Sequence, residues 1–131
     1  MISKSHTKYI QSLQHKKLRD ELNLFIAEGP KVVPDLLAGG KYTCREIVAV
    51  KEWLDANGEL KLLYPEISFT EVEGYELEKI SALSTPHHVL AVFEKTKPLM
   101  DIETVGKITL ALDTIQDPGN MGTIIRIADW F

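Results

Sequence analysis

The sequence predicts an α/β fold: a sandwich of alternating short strands and helices over residues 1–97, a linker at 98–104, and the start of a second, parallel-sheet domain at 105–131. Three observations lead there. Brief apolar, β-branched runs alternate with short amphipathic segments up to about residue 95, the pattern of helices laid over a sheet. Lys95-Thr-Lys-Pro-Leu-Met-Asp-Ile-Glu103 is charged, proline-bearing and aperiodic, which places a boundary there. Lys107–Leu112 is a nearly continuous aliphatic run that enters the polar turn Asp117-Pro-Gly and then a helical pattern, as expected for a strand buried on both faces of a parallel sheet.

In chain order, Ser3 to Leu22 reads as one helix. Ser3 or Ser5 can cap it, and Tyr9, Ile10, Leu13, Leu18 and Leu22 form an apolar stripe away from Lys8, His15, Lys16, Lys17 and Arg19. Leu24–Glu28 is a short buried strand. Gly29-Pro30 turns the chain into a helix from Lys31 to about Ala38, ended by Gly39-Gly40. Arg45–Val50 is too short and β-branched for a helix and reads as a strand, followed by a helix from Lys51 to Asn57 that Gly58 stops. Lys61–Tyr64 is weakly defined. Ile67–Val72 alternates apolar and polar residues like a strand with one exposed face, Tyr75–Leu83 is a short helix, Ser84–His88 a polar loop and Val89–Phe93 a strand. In the terminal segment Asn120 is a candidate N-cap, and Ile124, Ile125, Ile127, Ala128 and Phe131 recur at roughly helical spacing. The pattern breaks off after Trp130-Phe131 without a C-cap, and one strand and one helix cannot bury a core, so the sequence reads as the front part of a longer protein.

Composition excludes several classes. With 44% hydrophobic and 26% charged residues the chain is neither disordered nor membranous, and it has no signal-peptide stretch, so a cytoplasmic location and no membrane partner are expected. The single cysteine, Cys44, excludes an internal disulfide, and with four scattered histidines no metal site is expected. Net charge is −4, yet residues 1–31 carry six cationic side chains against three carboxylates, which leaves +3 there and −7 elsewhere. Such asymmetry can put a basic patch, Lys16, Lys17 and Arg19 in particular, on an acidic protein, although an ordinary solvated helix face would look the same. His87-His88 alternate faces and suit a surface loop better than one metal ion. Cys44 lacks an identifiable base, and Glu71, Glu73, Glu76 and Glu78 read as a solvated face. Dinucleotide, P-loop, nucleophile-elbow and zinc-protease motifs are absent from the sequence.

Asp117-Pro-Gly-Asn-Met-Gly-Thr123 is more informative. Two glycines surround an asparagine at a strand-to-helix junction and Arg126 follows, which admits either a purely structural turn or a ligand-binding one. The second arises because α/β proteins bind ligands beyond the carboxyl ends of their strands, where helix N-termini favour anions and an arginine can meet a phosphate.

Leu110-Ala-Leu-Asp-Thr-Ile-Gln-Asp-Pro-Gly-Asn-Met-Gly-Thr-Ile-Ile-Arg-Ile-Ala-Asp-Trp-Phe131 resembles the first motif of the SpoU/TrmH-type RNA 2'-O-ribose methyltransferases of the knotted SPOUT class. Lys16-Lys-Leu-Arg-Asp-Glu-Leu-Asn-Leu-Phe-Ile-Ala-Glu-Gly29 is similar to the opening of that family's substrate-binding domain, and Ser84-Thr-Pro-His-His-Val-Leu-Ala-Val-Phe93 to its closing strand. The resemblance implies an α/β/α sandwich like a ribosomal-protein RNA-binding domain, followed by the first β-α unit of a knotted domain. It further implies methyl transfer from S-adenosylmethionine to a ribose hydroxyl of ribosomal or transfer RNA, and a homodimer in the full-length protein. Asn120 and Arg126 match the motif's catalytic asparagine and arginine, the latter as base or electrostatic anchor. Lys16, Lys17, Arg19, Glu28 and Gly29 are the RNA-binding candidates, with Glu28 equally able to be structural. The motifs that bind the donor would lie beyond Phe131, so no donor-binding residue is expected within 1–131 and the chain alone is expected to be inactive. The alternatives are a non-catalytic RNA-binding module and a protein-interaction domain.

Overall fold

The structure, a computed structural model, describes residues 2–97 and 103–130. Most of the expected linker, 98–102, lies outside the described residues, as does Phe131. The chain divides into two compact units, Met1–Lys97 and Pro98–Phe131.

The first unit runs α1 (Lys4–Ser12), α2 (Lys16–Leu22), β1 (Leu24–Glu28), α3 (Val32–Ala38), β2 (Cys44–Ala49), α4 (Lys51–Ala56), α5 (Leu60–Leu63), β3 (Ser68–Glu71), α6 (Gly74–Ile80) and β4 (Val89–Glu94). Its sheet has the order β1-β4-β2-β3. β4 is antiparallel to both neighbours and β3 is parallel to β2. The last strand therefore inserts at the centre. That position explains why Val89–Phe93 has no polar residue: Val89, Ala91 and Phe93 face one layer and Leu90 and Val92 the other, all fully buried. One layer is α3 and α4, which pack Val33, Leu37, Trp53 and Leu54 on the sheet, and the opposite layer is α1 and α6, contributing Ile10, Leu77 and Ile80. The expected sandwich is thus three-layered, with a mostly antiparallel sheet.

A bulge at Arg45 reconciles two side chains of β2 that alternation would put together. Cys44 pairs with Phe93 and Glu46 with Val92, so one residue is extra, and Cys44 joins the α3/α4 core while Glu46 turns toward α1. There the Glu46 carboxylate lies 2.7 Å from His6 Nε2, without the alignment of a hydrogen bond. Burial pushes the Cys44 thiol up to about 12, which leaves it protonated and unreactive at neutral pH.

The single helix expected over Ser3–Leu22 is two. Ser3 caps the first as anticipated, its hydroxyl accepting from His6 N at 3.2 Å. At Leu13–His15 the backbone tightens to three-residue hydrogen bonds, and the Arg19 guanidinium donates to the freed carbonyls of Leu13 (3.1 Å) and Gln14 (2.7 Å). The break also aims two amides at α6. Gln11 donates to Lys79 O (2.7 Å) and Gln14 to Ile80 O (3.1 Å), satisfying carbonyls at the end of that helix. With these ends capped from outside, α6 stops at Ile80 instead of Leu83.

Asp20 fastens α2 to the end of β4, accepting from Lys16 Nζ and Lys95 Nζ, each at 2.5 Å. The Lys16 hydrogen bond, followed by that of Lys95, lowers its carboxyl to about 2. A carboxyl depressed in the folded state stabilises above its unfolded pKa, about 3.9, and loses that contribution as pH falls through the folded value. Unfolding midpoints recorded against pH should therefore decline between about pH 4 and 2 in the wild type, and Asp20→Asn should lower the neutral plateau slightly and flatten that acid limb, so that the two curves converge at low pH. Equal slopes in both proteins would refute the assignment.

In the second unit α7 spans Pro118–Trp130. The strand expected at Lys107–Leu112 is not formed. These residues pair with no neighbour among the described residues, and Ile108 is 93% exposed. A strand acquires its hydrogen bonds from a partner strand, so an aliphatic run with a strand-like composition stays irregular where no partner lies beside it.

Candidate RNA interface and motif helix

The carboxyl end of β1 meets the amino end of β4. Gly29 has φ +116°, a conformation that glycine tolerates, and uses it to donate N–H to Val89 O (3.1 Å) while its carbonyl accepts from Val33 N (3.2 Å) at the start of α3. Just before it, the half-buried Glu28 carboxylate accepts from the Ser81 hydroxyl and from Ala82 N (2.9 Å). It thereby ties the β1 turn to the loop Ser81–His88, and the two together form one polar surface with Lys31, Thr85 and His87 exposed. Replacing Glu28 with Ala should cost about 1.5–3 kcal/mol, the range for hydrogen bonds to a charged group. It should also accelerate amide exchange selectively across 82–88, whereas uniform exchange acceleration would deny it this local role.

The five RNA-binding candidates are not brought together. Lys16, Lys17 and Arg19 sit on α2 before β1, and Glu28 and Gly29 lie beyond it, a strand of five residues or about 16 Å away. Lys16 is paired with Asp20 and Lys17 lies 3.8 Å from Glu21, while Arg19 is engaged by the carbonyls of Leu13 and Gln14. At the same sheet edge a cavity of ≈ 650 Å³ is lined by Glu52, Glu71, Glu73 and Glu78 along with Lys51 and His88, a field that repels phosphate.

On α7 the N-cap is Asp117, not Asn120. Asp117 Oδ1 accepts from Gly119 N at 3.0 Å and its carbonyl from Met121 N at 3.2 Å, while Pro118, whose missing N–H costs nothing in a first turn, opens the helix. A side chain at Gly119 would put Cβ 3.3 Å from that carboxylate. Asn120 therefore keeps its amide free of capping. Asn120 and Arg126 are both exposed, six residues apart, about 9 Å along the axis and turned by about 120°. Thr123, Arg126, Ile127 and Trp130 line one shallow concavity. These residues do not fit S-adenosylmethionine: among the described residues of this unit no buried polar group awaits a ligand, and the cavity of ≈ 790 Å³ between Gly106–Leu110 and Ile127–Ala128 is lined mainly by aliphatic side chains, with Lys107 the one charged group.

Comparison with known proteins places this geometry. The family model described as MRM3-like substrate binding domain matches residues 4–91. The chain is 32% identical over 124 residues to the 23S rRNA (guanosine(2553)-2'-O)-methyltransferase RlmP of Bacillus subtilis, covering 91% of this chain and 45% of that protein. Among solved structures it is similar to the AdoMet-bound rRNA methyltransferase from Sinorhizobium meliloti, with TM-score 0.76 and 34% identity over 98% of this chain and 49% of that one. A TrmH-family protein from Porphyromonas gingivalis gives TM-score 0.69 and 30% identity over 99% and 49%. The chain spans under half the length of each. These matches agree with the resemblance read from the motifs, and since the family model covers most of the sandwich, from α1 into β4, the chain belongs to the MRM3-like substrate binding domain family.

Proposed function

We propose that this chain is the RNA-recognition domain and first catalytic motif of an S-adenosylmethionine-dependent RNA 2'-O-ribose methyltransferase acting on ribosomal RNA, in the cytoplasm and as a homodimer when full-length. The observation that carries the reading is the junction of two features on one chain: the substrate-domain match over 4–91 and, after it, the Asp117-capped helix bearing Asn120 and Arg126. The donor supplies an electrophilic methyl group when bound; the residues here act on the RNA. Glu28 and Gly29 set the shape of the loop edge that meets the nucleotide. Lys16 and Lys17, whose exposed ion pairs are worth little, exchange their carboxylates for phosphates, and Arg19 supports them by holding the turn between α1 and α2. Asn120 orients the target ribose. Arg126, with a planar fork of N–H donors, anchors phosphate or the developing oxyanion.

Titration of the 131-residue chain with ribosomal RNA fragments at several salt concentrations tests this. Affinity should fall linearly in log–log form with added salt, and binding that ignores salt would overturn the proposal. Calorimetry should meanwhile find no tight S-adenosylmethionine binding to these residues alone.

A further inference from the structure

We infer that the groove between α1 and α6 is a second RNA-binding surface, taking a single-stranded segment whose phosphates meet Lys4, Lys8 and Lys79 and one of whose bases stacks on Tyr75. This rests on the proposed RNA-binding reading and extends it to a face that the sequence motifs do not mark.

The groove holds ≈ 390 Å³ and is lined by Ile2, Lys4, Thr7, Lys8, Gln11, Tyr75, Glu76 and Lys79. Lys4, Lys8 and Gln11 follow one another at one-turn spacing along α1, and Tyr75 and Lys79 do the same on α6. The Gln11–Lys79 hydrogen bond pins the two helices side by side. Unlike Lys16, Lys17, Lys51 and Lys95, the three lysines have no carboxylate partner among the described residues. Glu76 is the one acid in the lining, and it is buried and committed: its oxygens accept from Ile2 N and Glu73 N, both at 3.0 Å, within the capping box of α6. The groove thus presents three ammonium groups without a salt-bridge partner among the described residues, and its one carboxylate, Glu76, feels the charge of Lys79 but spends its oxygens on backbone N–H groups.

Tyr75 supplies a different kind of contact. It is 51% exposed although the next two residues of α6, Glu76 and Leu77, are buried, and Lys79 Nζ lies 5.0 Å from its ring centroid. A half-exposed aromatic ring beside a cation is the arrangement that stacks a base while meeting its phosphate. The groove is continuous with the edge described above, because Lys79 is two residues from Ser81, which donates to Glu28. An RNA engaged at Glu28–Gly29 reaches the groove by following α6. An acidic peptide would also satisfy the lysines but would leave the ring unused.

The test uses the whole 131-residue chain and a fluorescein-labelled, unstructured 12-mer RNA, with Lys4→Gln/Lys8→Gln/Lys79→Gln and Tyr75→Ala compared with Lys61→Gln on α5 as a control elsewhere on the surface. The triple variant should lower the salt slope by about 2, from about 0.7 per lost contact on a single strand, and Tyr75→Ala should weaken binding about tenfold with the slope unchanged. Tyr75→Phe, which keeps the ring, should restore wild-type affinity. Wild-type binding that none of these variants alters would overturn the groove and leave the RNA-binding reading intact, whereas failure of the wild type to bind any RNA would overturn both. Binding of a polyglutamate peptide as tightly as the RNA, and with the same dependence on Lys4, Lys8 and Lys79, would overturn the choice of a nucleic acid.

Discussion

Phe93→Ala is expected to lower the unfolding free energy of the first unit by about 3–5 kcal/mol, the range for removing a fully buried aromatic side chain. Phe93 has no exposed surface, sits on the central strand and stacks on Phe25 with ring centroids 5.6 Å apart; Phe25 in turn meets Tyr42 edge-on at 5.3 Å. Truncation empties the space between two strands and the α3/α4 layer, where neighbours on a sheet cannot collapse as a loop would. Domains of this size are stable by only about 5–15 kcal/mol, so the variant should sit near its unfolding threshold at physiological temperature. Urea denaturation measures the loss, with the midpoint falling and the m-value unchanged. Phe93→Leu, which preserves most of the volume, should recover the larger part. A loss below about 1 kcal/mol would mean that β4 is not the packing centre of the sandwich.

That centre was partly legible in the sequence. Val89–Phe93 read as a strand, and local patterning located β1, β2, α3 and α4 to within a residue or two. Pairing was not legible, because the insertion of the last strand between β1 and β2 depends on contacts far apart in the chain, and no local pattern encodes them. Boundaries moved for two kinds of reason. The α1–α2 break accompanies Arg19 capping Leu13 and Gln14 a few residues back, a local contact that periodicity does not show, and the early end of α6 accompanies Gln11 and Gln14 reaching across to it from far along the chain. Lys107–Leu112 is a further case, a stretch whose composition favours a strand but which pairs with no neighbour among the described residues.

The candidate site divides in the same way. Glu28-Gly29 stood out by resemblance to the family's substrate-domain motif, but the bond from Ser81 to Glu28 spans more than fifty residues and had no local signal. Lys16 and Lys17 drew attention as a doublet, while Asp20 and Glu21, which pair with them, stand four positions on and were visible as i,i+4 partners. The charge of Lys4, Lys8 and Lys79 was diluted along the sequence and became a cluster only when α1 and α6 packed. Asn120 was misplaced as a cap because Asp117 and Asn120 are both capping residues; Pro118, which belongs in the first turn, was the signal that decides for Asp117.

Arg126→Ala, in a protein that also carries the remainder of the catalytic domain, is expected to reduce methylation by about 100- to 1,000-fold, the cost of deleting one preorganised partner of a developing oxyanion. The side chain projects from the middle of a thirteen-residue helix beside Thr123 and Trp130, so its position is set by rigid backbone instead of a loop. Lysine keeps the charge but not the planar fork, so Arg126→Lys should restore only a small part of the rate. The pH profile separates the two roles the motif allows. If Arg126 removed the proton, the alanine variant would gain rate steeply with rising pH as hydroxide replaced it. As an anchor, which its permanent charge favours, it should leave the shape of the profile unchanged while kcat falls and KM for RNA rises. Asn120→Ala should act mainly on KM, because an amide one and a half turns earlier can orient a ribose but cannot carry charge. Retained activity in Arg126→Ala would remove α7 from the reaction and leave this chain an RNA-binding module whose terminal helix serves only the fold.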